Sequence, residues 1–231
     1  MAGSGNGSAS TARGLGVLHL FCKRSPSLDV EAVVSARKSF LDAGGQLVAS
    51  GVLGHKADVG LLCLCKDLWG LWRFQSCCEH AGLETVSSYV SLTEVSEYAQ
   101  GIPERLREAR LFPELPPQGM PVFGFYPMSK RRGSEHNWYM LDFDERRRLM
   151  VGHGAVGRQF KGRVLQLITG STGLDDFEWG VTLFARHPDD LKACVYEMRF
   201  DEASALYAEF GPFYLGMVAD LEEVLGEGPV V

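Results

Sequence analysis

The sequence predicts an α+β fold in which two ferredoxin-like halves pack as a dimeric α+β barrel within one chain. Three observations support this prediction. Runs of alternating apolar residues mark strands, amphipathic stretches mark helices between them, and the order β-α-β-β-α-β occurs once on each side of a Pro-rich connector at 113–121. Two four-stranded sheets of this kind can pack face to face or close into a barrel.

In the first half, turn and cap residues separate the predicted elements. Asp29 can cap a helix that ends before Gly44 and Gly45, and Gly82 follows the end of the second helix. The predicted elements are a strand over Gly16–Cys22, a helix over Asp29–Ala43, strands over Gln46–Gly54 and Asp58–Lys66, a helix over Leu68–Ala81 and a strand over Glu84–Leu92.

The second half repeats this order. Asp142 and Glu145 resemble a capping box, and Pro188 stands at the first position of a helix, where proline is favoured. The predicted elements are a short connector helix near Pro103–Arg110, strands over Val122–Met128 and Asn137–Leu141, a helix over Glu145–Gln159, strands over Val164–Thr169 and Phe177–Ala185, helices over Pro188–Phe200 and Glu202–Glu209, and a strand over Phe213–Val218. We therefore divide the chain into a disordered tail (1–13), an N-terminal half (14–108) and a C-terminal half (109–231).

Charge and hydropathy exclude several classes of protein. The formal net charge of -6 argues against binding to nucleic acid or to an anionic membrane surface. No apolar run approaches the roughly 18 residues that a membrane span needs. Because the Gly/Ser/Ala-rich start has no apolar core, we expect no signal peptide and a cytoplasmic location.

The six cysteines are expected to be reduced structural thiols, as is usual without a signal peptide. Cys63 and Cys65 alternate with leucines, as in a buried strand. Cys77 and Cys78 could join them in a zinc site, although this spacing matches no common zinc-ligand pattern.

Two groups of residues could carry chemistry. Tyr126, Met128 and Lys130 share one face of a strand because side chains alternate with a period of two; the alternative is a sheet edge at which Lys130 extends to solvent. His153 stands between two glycines, which would let a flat macrocycle approach a neutral imidazole, the usual protein ligand of haem iron. The alternative for His153 is a purely structural role.

Three further polar residues lie near predicted apolar surfaces. Gln166 alternates with two leucines, so its amide needs hydrogen-bond partners on a buried face. Arg199 and Ser204 flank a break between two helices. An arginine fork suits carboxylates, although an ion pair between Arg199 and Asp201 or Glu202 is the alternative.

Taken together, these segments resemble the chlorite dismutase superfamily and, within it, the coproheme decarboxylases of the Firmicutes type. The resemblance covers roughly Ala109–Val218, and the first half resembles the family in layout only. The segments that stand in the family's order are Tyr126-Pro-Met-Ser-Lys-Arg-Arg132, Asn137-Trp-Tyr-Met-Leu141, Glu145-Arg-Arg-Arg-Leu-Met150, His153-Gly154, Gly157-Arg158, Gly170-Ser171, Gly173-Leu-Asp-Asp176, Glu178-Trp-Gly-Val-Thr-Leu-Phe184 and Tyr196-Glu-Met-Arg-Phe-Asp-Glu202.

The resemblance implies an enzyme of haem biosynthesis. Such enzymes use hydrogen peroxide to decarboxylate two propionates of iron coproporphyrin III to vinyls, which yields haem b. The substrate brings its own iron, so no further cofactor is expected. The resemblance also implies a homopentamer, and we expect transient contact with a coproporphyrin ferrochelatase.

The resemblance assigns a role to each candidate residue. His153 falls at the proximal iron ligand and Gln166 at the distal glutamine. Tyr126 falls at the catalytic tyrosine that becomes a radical, with Lys130 beside it as the second catalytic residue. The remaining positions bind the substrate: Arg110, Arg199 and Ser204 at propionates, and Pro127, Met128 and Ser129 in the pocket lining.

One departure bears on the activity. True chlorite dismutases carry an arginine at the distal position, where this chain has Gln166. Arginine's fixed charge would hold an anionic oxidant near the iron, so its absence argues against chlorite decomposition. The alternatives left open are a chlorite dismutase or peroxidase on the same fold, a haem carrier or sensor without turnover, and a ligand-binding module without iron.

Overall fold

The computed structural model describes residues 9–99 and 101–227, and it contains one continuous antiparallel sheet. The strands are β1 (Gly16–Arg24), β2 (Gln46–Val52), β3 (Val59–Cys65), β4 (Leu83–Thr93), β5 (Val122–Lys130), β6 (Val164–Gly170), β7 (Trp179–Ala185), β8 (Ala208–Phe210) and β9 (Tyr214–Val218). The helices are α1 (Val30–Asp42), α2 (Leu68–His80), α3 (Glu104–Leu111), α4 (Phe143–Arg158), α5 (Pro188–Met198) and α6 (Glu202–Tyr207), with shorter turns at Trp138–Met140 and Glu223–Glu227.

The sheet closes into a barrel. Its strand order is β7-β6-β4-β1-β3-β2-β9-β5-β8, and an additional β5–β7 pairing joins the ends of an eight-stranded ring, with β8 outside it. The first half contributes β4-β1-β3-β2 and the second β6-β7-β5-β9, which confirms the two ferredoxin-like halves. The halves meet at two short seams, Leu92–Thr93 of β4 against Thr169–Gly170 of β6, and Ser50–Val52 of β2 against Gly216–Val218 of β9.

Aromatic side chains fill the barrel interior. Phe21 stacks on Tyr214 with ring centroids 3.7 Å apart, and Phe125 lies 5.5 Å from Phe21. His19 is fully buried among them, and its Nε2 lies 2.8 Å from the Thr182 hydroxyl. Because these side chains fill the interior of the eight-stranded barrel, a large ligand must bind on its outside.

The helices cover the outer faces of the sheet. In the first half, Val33 and Phe40 of α1 pack with Leu71 and Phe74 of α2 against the sheet. In the second half, α5 lies over β5, β6 and β7 and contributes the buried Cys194 to a separate apolar cluster. The outer face of the second half is therefore built from three strands and the helices α4, α5 and α6.

Two predicted elements were wrong. Asn137–Leu141 is not a strand, because the Asn137 side chain accepts a hydrogen bond from the backbone N–H of Tyr139 (3.1 Å) and caps a short 3-10 helix at Trp138–Met140. The helix predicted over Glu202–Glu209 ends at Tyr207. The chain then becomes strand β8, which pairs with Ser129 and its neighbours on β5.

The prediction of a disordered tail over residues 1–13 is wrong for residues 9–11. Residues 1–8 lie outside the described residues, but the backbone N–H of Thr11 donates to Lys66 O (3.0 Å) and that of Leu68 donates to Ala9 O (3.1 Å). These bonds hold residues 9–11 against the end of β3, so this part of the tail is ordered. The division that we place between residues 108 and 109 falls inside α3.

A matched pair of glycine variants tests how closely the halves must approach. A Cβ at Gly216 of β9 would lie 2.7 Å from the carbonyl oxygen of Gly51 on β2, whereas a Cβ at Gly51 would meet nothing within 4 Å. We expect Gly216→Ala to lower the free energy of unfolding by about 1–3 kcal/mol, because backbone atoms must move to relieve the clash. Gly51→Ala should have a clearly smaller effect in the same denaturation experiment. Equal effects of the two variants would contradict this account of the seam.

Candidate functional site

The predicted site residues of the second half lie on and around the outer face of its sheet. Tyr126 and Met128 of β5 belong to the same outer cluster, which also contains Cys194 of α5. Gln166 of β6 lies on this face too, because Leu167, its neighbour in sequence, packs into the barrel interior. Helix α4 passes close to Gln166: a Cβ at Gly157 would lie 3.6 Å from its Nε2.

Tyr126 is a buried phenol between aromatic rings. Its ring stacks on Phe213 at 4.5 Å and meets Phe210 edge-on at 5.6 Å. Burial raises the pKa of Tyr126, and the neighbouring Cys194 adds to this effect while Arg199 opposes it. The hydroxyl forms no hydrogen bond within the described part of the chain, so Tyr126 offers a neutral O–H to the site.

His153 lies in α4 beside the break between α5 and α6. Its Nδ1 is 3.0 Å from the carboxylate of Asp201 and 3.4 Å from the Ser204 hydroxyl. Asp201 also caps α6 by accepting from the backbone N–H of Ser204 (3.2 Å). Burial raises the pKa of Asp201, but the hydrogen bonds from His153 and Ser204 outweigh burial and hold it below its ordinary value.

This arrangement suits a metal-binding imidazole. The Asp201 carboxylate accepts a hydrogen bond from the Nδ1–H group, so the second ring nitrogen, Nε2, is left as the ligand atom. The His153 side chain keeps 28% of its surface exposed, whereas the Asp201 side chain keeps only 6%. Asp201 therefore fixes the ring from behind while His153 faces outward.

Lys130 is buried on the same side as this pair. Its ammonium donates to the carbonyl of Ala203 (3.2 Å) and lies 4.2 Å from the centroid of the Trp138 ring. Burial lowers the pKa of Lys130 to about 8, although the charges of Asp201 and Glu178 oppose that shift. Among the residues described, no hydrogen bond links the ammonium to Asp201 or to Tyr126.

Gln166 contacts a residue that the sequence did not single out. Its Nε2 donates to Cys194 Sγ at 3.4 Å. Cys194 is 1% exposed, and burial raises the pKa of its thiol, against the opposing effects of Gln166 and Arg163. Gln166 itself is only half-buried.

The other predicted substrate-binding residues are less tightly grouped. Arg199 ends α5, is exposed, and its guanidinium lies 5.1 Å from the Phe210 ring centroid. Pro127 and Ser129 are on the opposite face of β5 from Tyr126, and the Ser129 hydroxyl accepts from the backbone N–H of Glu178 (3.3 Å). Arg110 is exposed on α3, and no hydrogen bond or ion pair within 9–99 and 101–227 joins it to the site.

Sequence reasoning did not predict the contacts that Asp201, Cys194 and Trp138 make with the candidate site residues. The order Asp201-x-x-Ser204 is a helix-cap pattern, which could have identified the carboxylate as a fixed group at the helix break. A single cysteine in an amphipathic helix carries no such signal. The buried environment of Lys130 depends on Trp138, which the sequence assigned to a strand.

Metal and membrane features outside this site are limited. In the part of the chain that the structure describes, no cluster of three or more His, Cys, Asp or Glu side chains is arranged to hold a metal ion. Cys77 is exposed and the other five cysteines are buried. No described helix is both long enough and apolar enough to cross a bilayer.

Comparisons with a family profile, with known sequences and with solved structures all find related proteins. The sequence profile of the chlorite dismutase family matches residues 28–219. A coproheme decarboxylase of Staphylococcus carnosus is 39% identical over 235 aligned residues, which cover 91% of this chain and 94% of the relative. A solved heme-binding protein from Thermus thermophilus superposes with a TM-score of 0.80 at 37% identity, covering 95% of this chain and 96% of that one.

Some relatives are much longer than this chain. Proteins of Natronomonas pharaonis and Haloquadratum walsbyi are 46% and 44% identical, over 78% and 81% of this chain. The chain spans only 32% and 38% of their lengths, about a third in each case.

The burial of Lys130 predicts a pH-dependent difference in stability between the wild type and Lys130→Met. Between the folded-state pKa of about 8 and the ordinary value of 10.5, the unfolded chain holds a proton that the folded chain has released. The free-energy cost that the buried ammonium adds to folding is therefore at its full value below pH 8, and it disappears as the pH rises to 10.5. The wild type should gain up to about 1.4 kcal/mol per pH unit relative to Lys130→Met in this window. Chemical denaturation at several pH values measures this difference, and a constant difference would refute it.

Proposed function

The chain belongs to the chlorite dismutase family, and we propose that it is a coproheme decarboxylase. In this proposal it binds iron coproporphyrin III and converts two propionates to vinyl groups with hydrogen peroxide, forming haem b. The observation that carries the proposal is the pairing of His153 with Asp201 at 3.0 Å beside a sheet face that carries the buried phenol Tyr126. The similarity to the S. carnosus coproheme decarboxylase supports the choice of substrate.

The donor set fits an iron porphyrin as substrate. We propose that Nε2 of His153 ligates the iron and that Asp201 holds the ring and increases its basicity through Nδ1, a common arrangement for metal-binding histidines. Gly152 and Gly154 flank His153, and a Cβ at Gly152 would meet nothing within 4 Å. This open backbone leaves space for a flat ring system beside α4.

The reaction requires an oxidant and a hydrogen acceptor. Each propionate loses carbon dioxide, one proton and two electrons as it becomes a vinyl, and one hydrogen peroxide takes up these electrons with two protons to give two waters. The substrate's iron supplies the reactivity with peroxide. Tyr126 gives up its hydroxyl hydrogen, and the resulting phenoxyl radical takes hydrogen from the propionate. Burial and aromatic neighbours suit this role, because they keep the phenol neutral and exclude water.

Charged residues around the site would orient the substrate. We assign Arg199 to a propionate, because its guanidinium is exposed beside Phe210 and close enough to influence Tyr126. The assignments of Arg110 and Ser204 to propionates stay predictions, and the Ser204 hydroxyl already has a partner in His153. The Lys130 ammonium donates one hydrogen bond to Ala203 and keeps two further N–H donors that could serve a propionate.

Met128 completes the lining of the site on β5, and Pro127 and Ser129 support the same segment from the opposite face. We also propose a cytoplasmic homopentamer that meets a coproporphyrin ferrochelatase transiently. The support for these assembly proposals is the family resemblance. The proposed division into halves at residues 14–108 and 109–231 places the whole porphyrin site in the second half.

The variant Tyr126→Phe tests the catalytic assignment. A ring of the same shape should preserve the fold and the binding of coproheme. Decarboxylation should fall to background, because phenylalanine has no hydroxyl hydrogen to give up. Mass analysis of the porphyrins after a peroxide titration measures the loss of two carboxyl groups. Tyr196→Phe, which removes an exposed hydroxyl from α5, is the matched control. Haem b formed by Tyr126→Phe at the wild-type rate would disprove the radical role.

Variants of the histidine pair test the iron ligand. His153→Ala should abolish the axial ligation. Asp201→Asn should retain the axial ligand but weaken coproheme binding by about 10–100-fold. It should also lower the iron–histidine stretching frequency, because a neutral amide is a weaker hydrogen-bond acceptor for Nδ1–H than a carboxylate. Absorption titration and resonance Raman spectroscopy measure both effects. Glu202→Gln, at the neighbouring exposed carboxylate, should match the wild type. An unchanged spectrum for His153→Ala would remove His153 from this role.

A further inference from the structure

Cys194 lies between Tyr126 and Gln166 on the outer face of the sheet. It packs in the same buried cluster as Tyr126 and accepts a hydrogen bond from Gln166 at 3.4 Å. The position of α5 explains this contact. Gly124 of β5 has no side chain, and a Cβ there would lie only 2.6 Å from Leu191 Cδ1. Helix α5 therefore sits close to the sheet, and Cys194, one turn after Leu191, reaches side chains of β5 and β6, the strands on either side of β7.

The hydrogen bond to Cys194 determines the orientation of the Gln166 side-chain amide. Nε2 points at the buried thiol, so the oxygen Oε1 occupies the other side of the amide. Oε1 has no hydrogen-bond partner among the described residues. The only described side-chain N or O atom that is fully buried without a partner is His19 Nδ1, so Oε1 is not fully buried. Gln166 consequently presents an acceptor to the open part of the site and keeps its donor against Cys194.

We propose that Cys194 is a positioning residue that holds Gln166 with its carbonyl oxygen facing the bound substrate, and that this orientation favours hydrogen peroxide over anionic ligands of the iron. This inference rests on the proposed function. It assigns to Cys194 a role in ligand selectivity that acts only through Gln166.

Hydrogen-bond chemistry gives the selectivity. Hydrogen peroxide is neutral and carries two O–H donors, so a carbonyl oxygen above the iron can accept from it. An anion such as fluoride only accepts hydrogen bonds, and it is disfavoured beside a carbonyl oxygen but favoured beside an amide N–H. The orientation of one amide therefore has opposite effects on the two ligands.

A thiol at position 194 suits this task. Burial keeps Cys194 protonated, so its sulfur is a weak neutral acceptor that satisfies Nε2 without placing a charge beside Tyr126. Alanine at this position would leave Nε2 without its partner. The amide could then rotate and turn its donor towards the substrate.

The experiment compares the wild type with Cys194→Ala, each loaded with ferric coproheme. Fluoride affinity, measured by absorption titration, should rise about three- to tenfold in Cys194→Ala, and the rate of reaction with peroxide should fall in the same variant. This range corresponds to the net value of one hydrogen bond. Cys194→Ser should restore part of the wild-type selectivity, because its hydroxyl can accept from Nε2 but reaches less far.

Two controls separate positioning from packing. Cys78→Ala removes a thiol that is equally buried, in α2 of the other half, and should leave both measurements unchanged. In a Gln166→Leu background, Cys194→Ala should no longer alter fluoride affinity, because the amide through which it acts is gone.

The outcomes distinguish this inference from the proposed function. A wild-type protein that binds and decarboxylates coproheme, with fluoride affinity unchanged in Cys194→Ala, would overturn the inference alone. An increase in affinity that persists in the Gln166→Leu background would also overturn it. A wild-type protein that fails to bind coproheme would overturn the proposed function, and the inference with it.

Discussion

The filled interior of the barrel is the constraint on which the arrangement of the site depends. Stacked rings such as Phe21 and Tyr214 occupy the space that the closed sheet encloses. The chemistry-bearing side chains on β5 and β6 that point away from this core meet partners supplied by the covering helices and, for Tyr126, by Phe210 and Phe213. The second half supplies such partners from α4, α5 and the break before α6, and this is where His153, Asp201 and Cys194 come together with the strand residues.

Buried charges on this outer face form a short chain. The charge of Asp201 acts on the buried Lys130 ammonium, and the same carboxylate holds Nδ1 of His153. A buried ammonium would be costly alone, and the Ala203 carbonyl and the face of Trp138 reduce that cost. Lys130 is thus placed to influence the charge behind the proposed iron ligand, in addition to the propionate contact that the family resemblance implies.

The two ends of the site have different electrostatic character. Around His153 lie a carboxylate and a hydroxyl, which fix the orientation of the imidazole ring. Around Tyr126 and Gln166 lie aromatic rings, a methionine and a neutral thiol. Uncharged side chains in contact with the phenol suit its proposed role as a donor of a hydrogen atom, and the Arg199 guanidinium is the charge that acts on Tyr126 at this end.

The amino-acid sequence alone determined the order of the elements, the pairing of two ferredoxin-like halves and the common face of Tyr126 and Met128. These features follow from local periodicity and capping, which act over a few residues. The strand assigned to Asn137–Leu141 failed because an asparagine cap and the burial of Trp138 favoured a helical turn over β-propensity. The His153–Asp201 and Gln166–Cys194 contacts join residues 48 and 28 positions apart. Only the tertiary structure decided them, because the distance between such groups depends on how closely the helices pack on the sheet, and no local pattern records that distance.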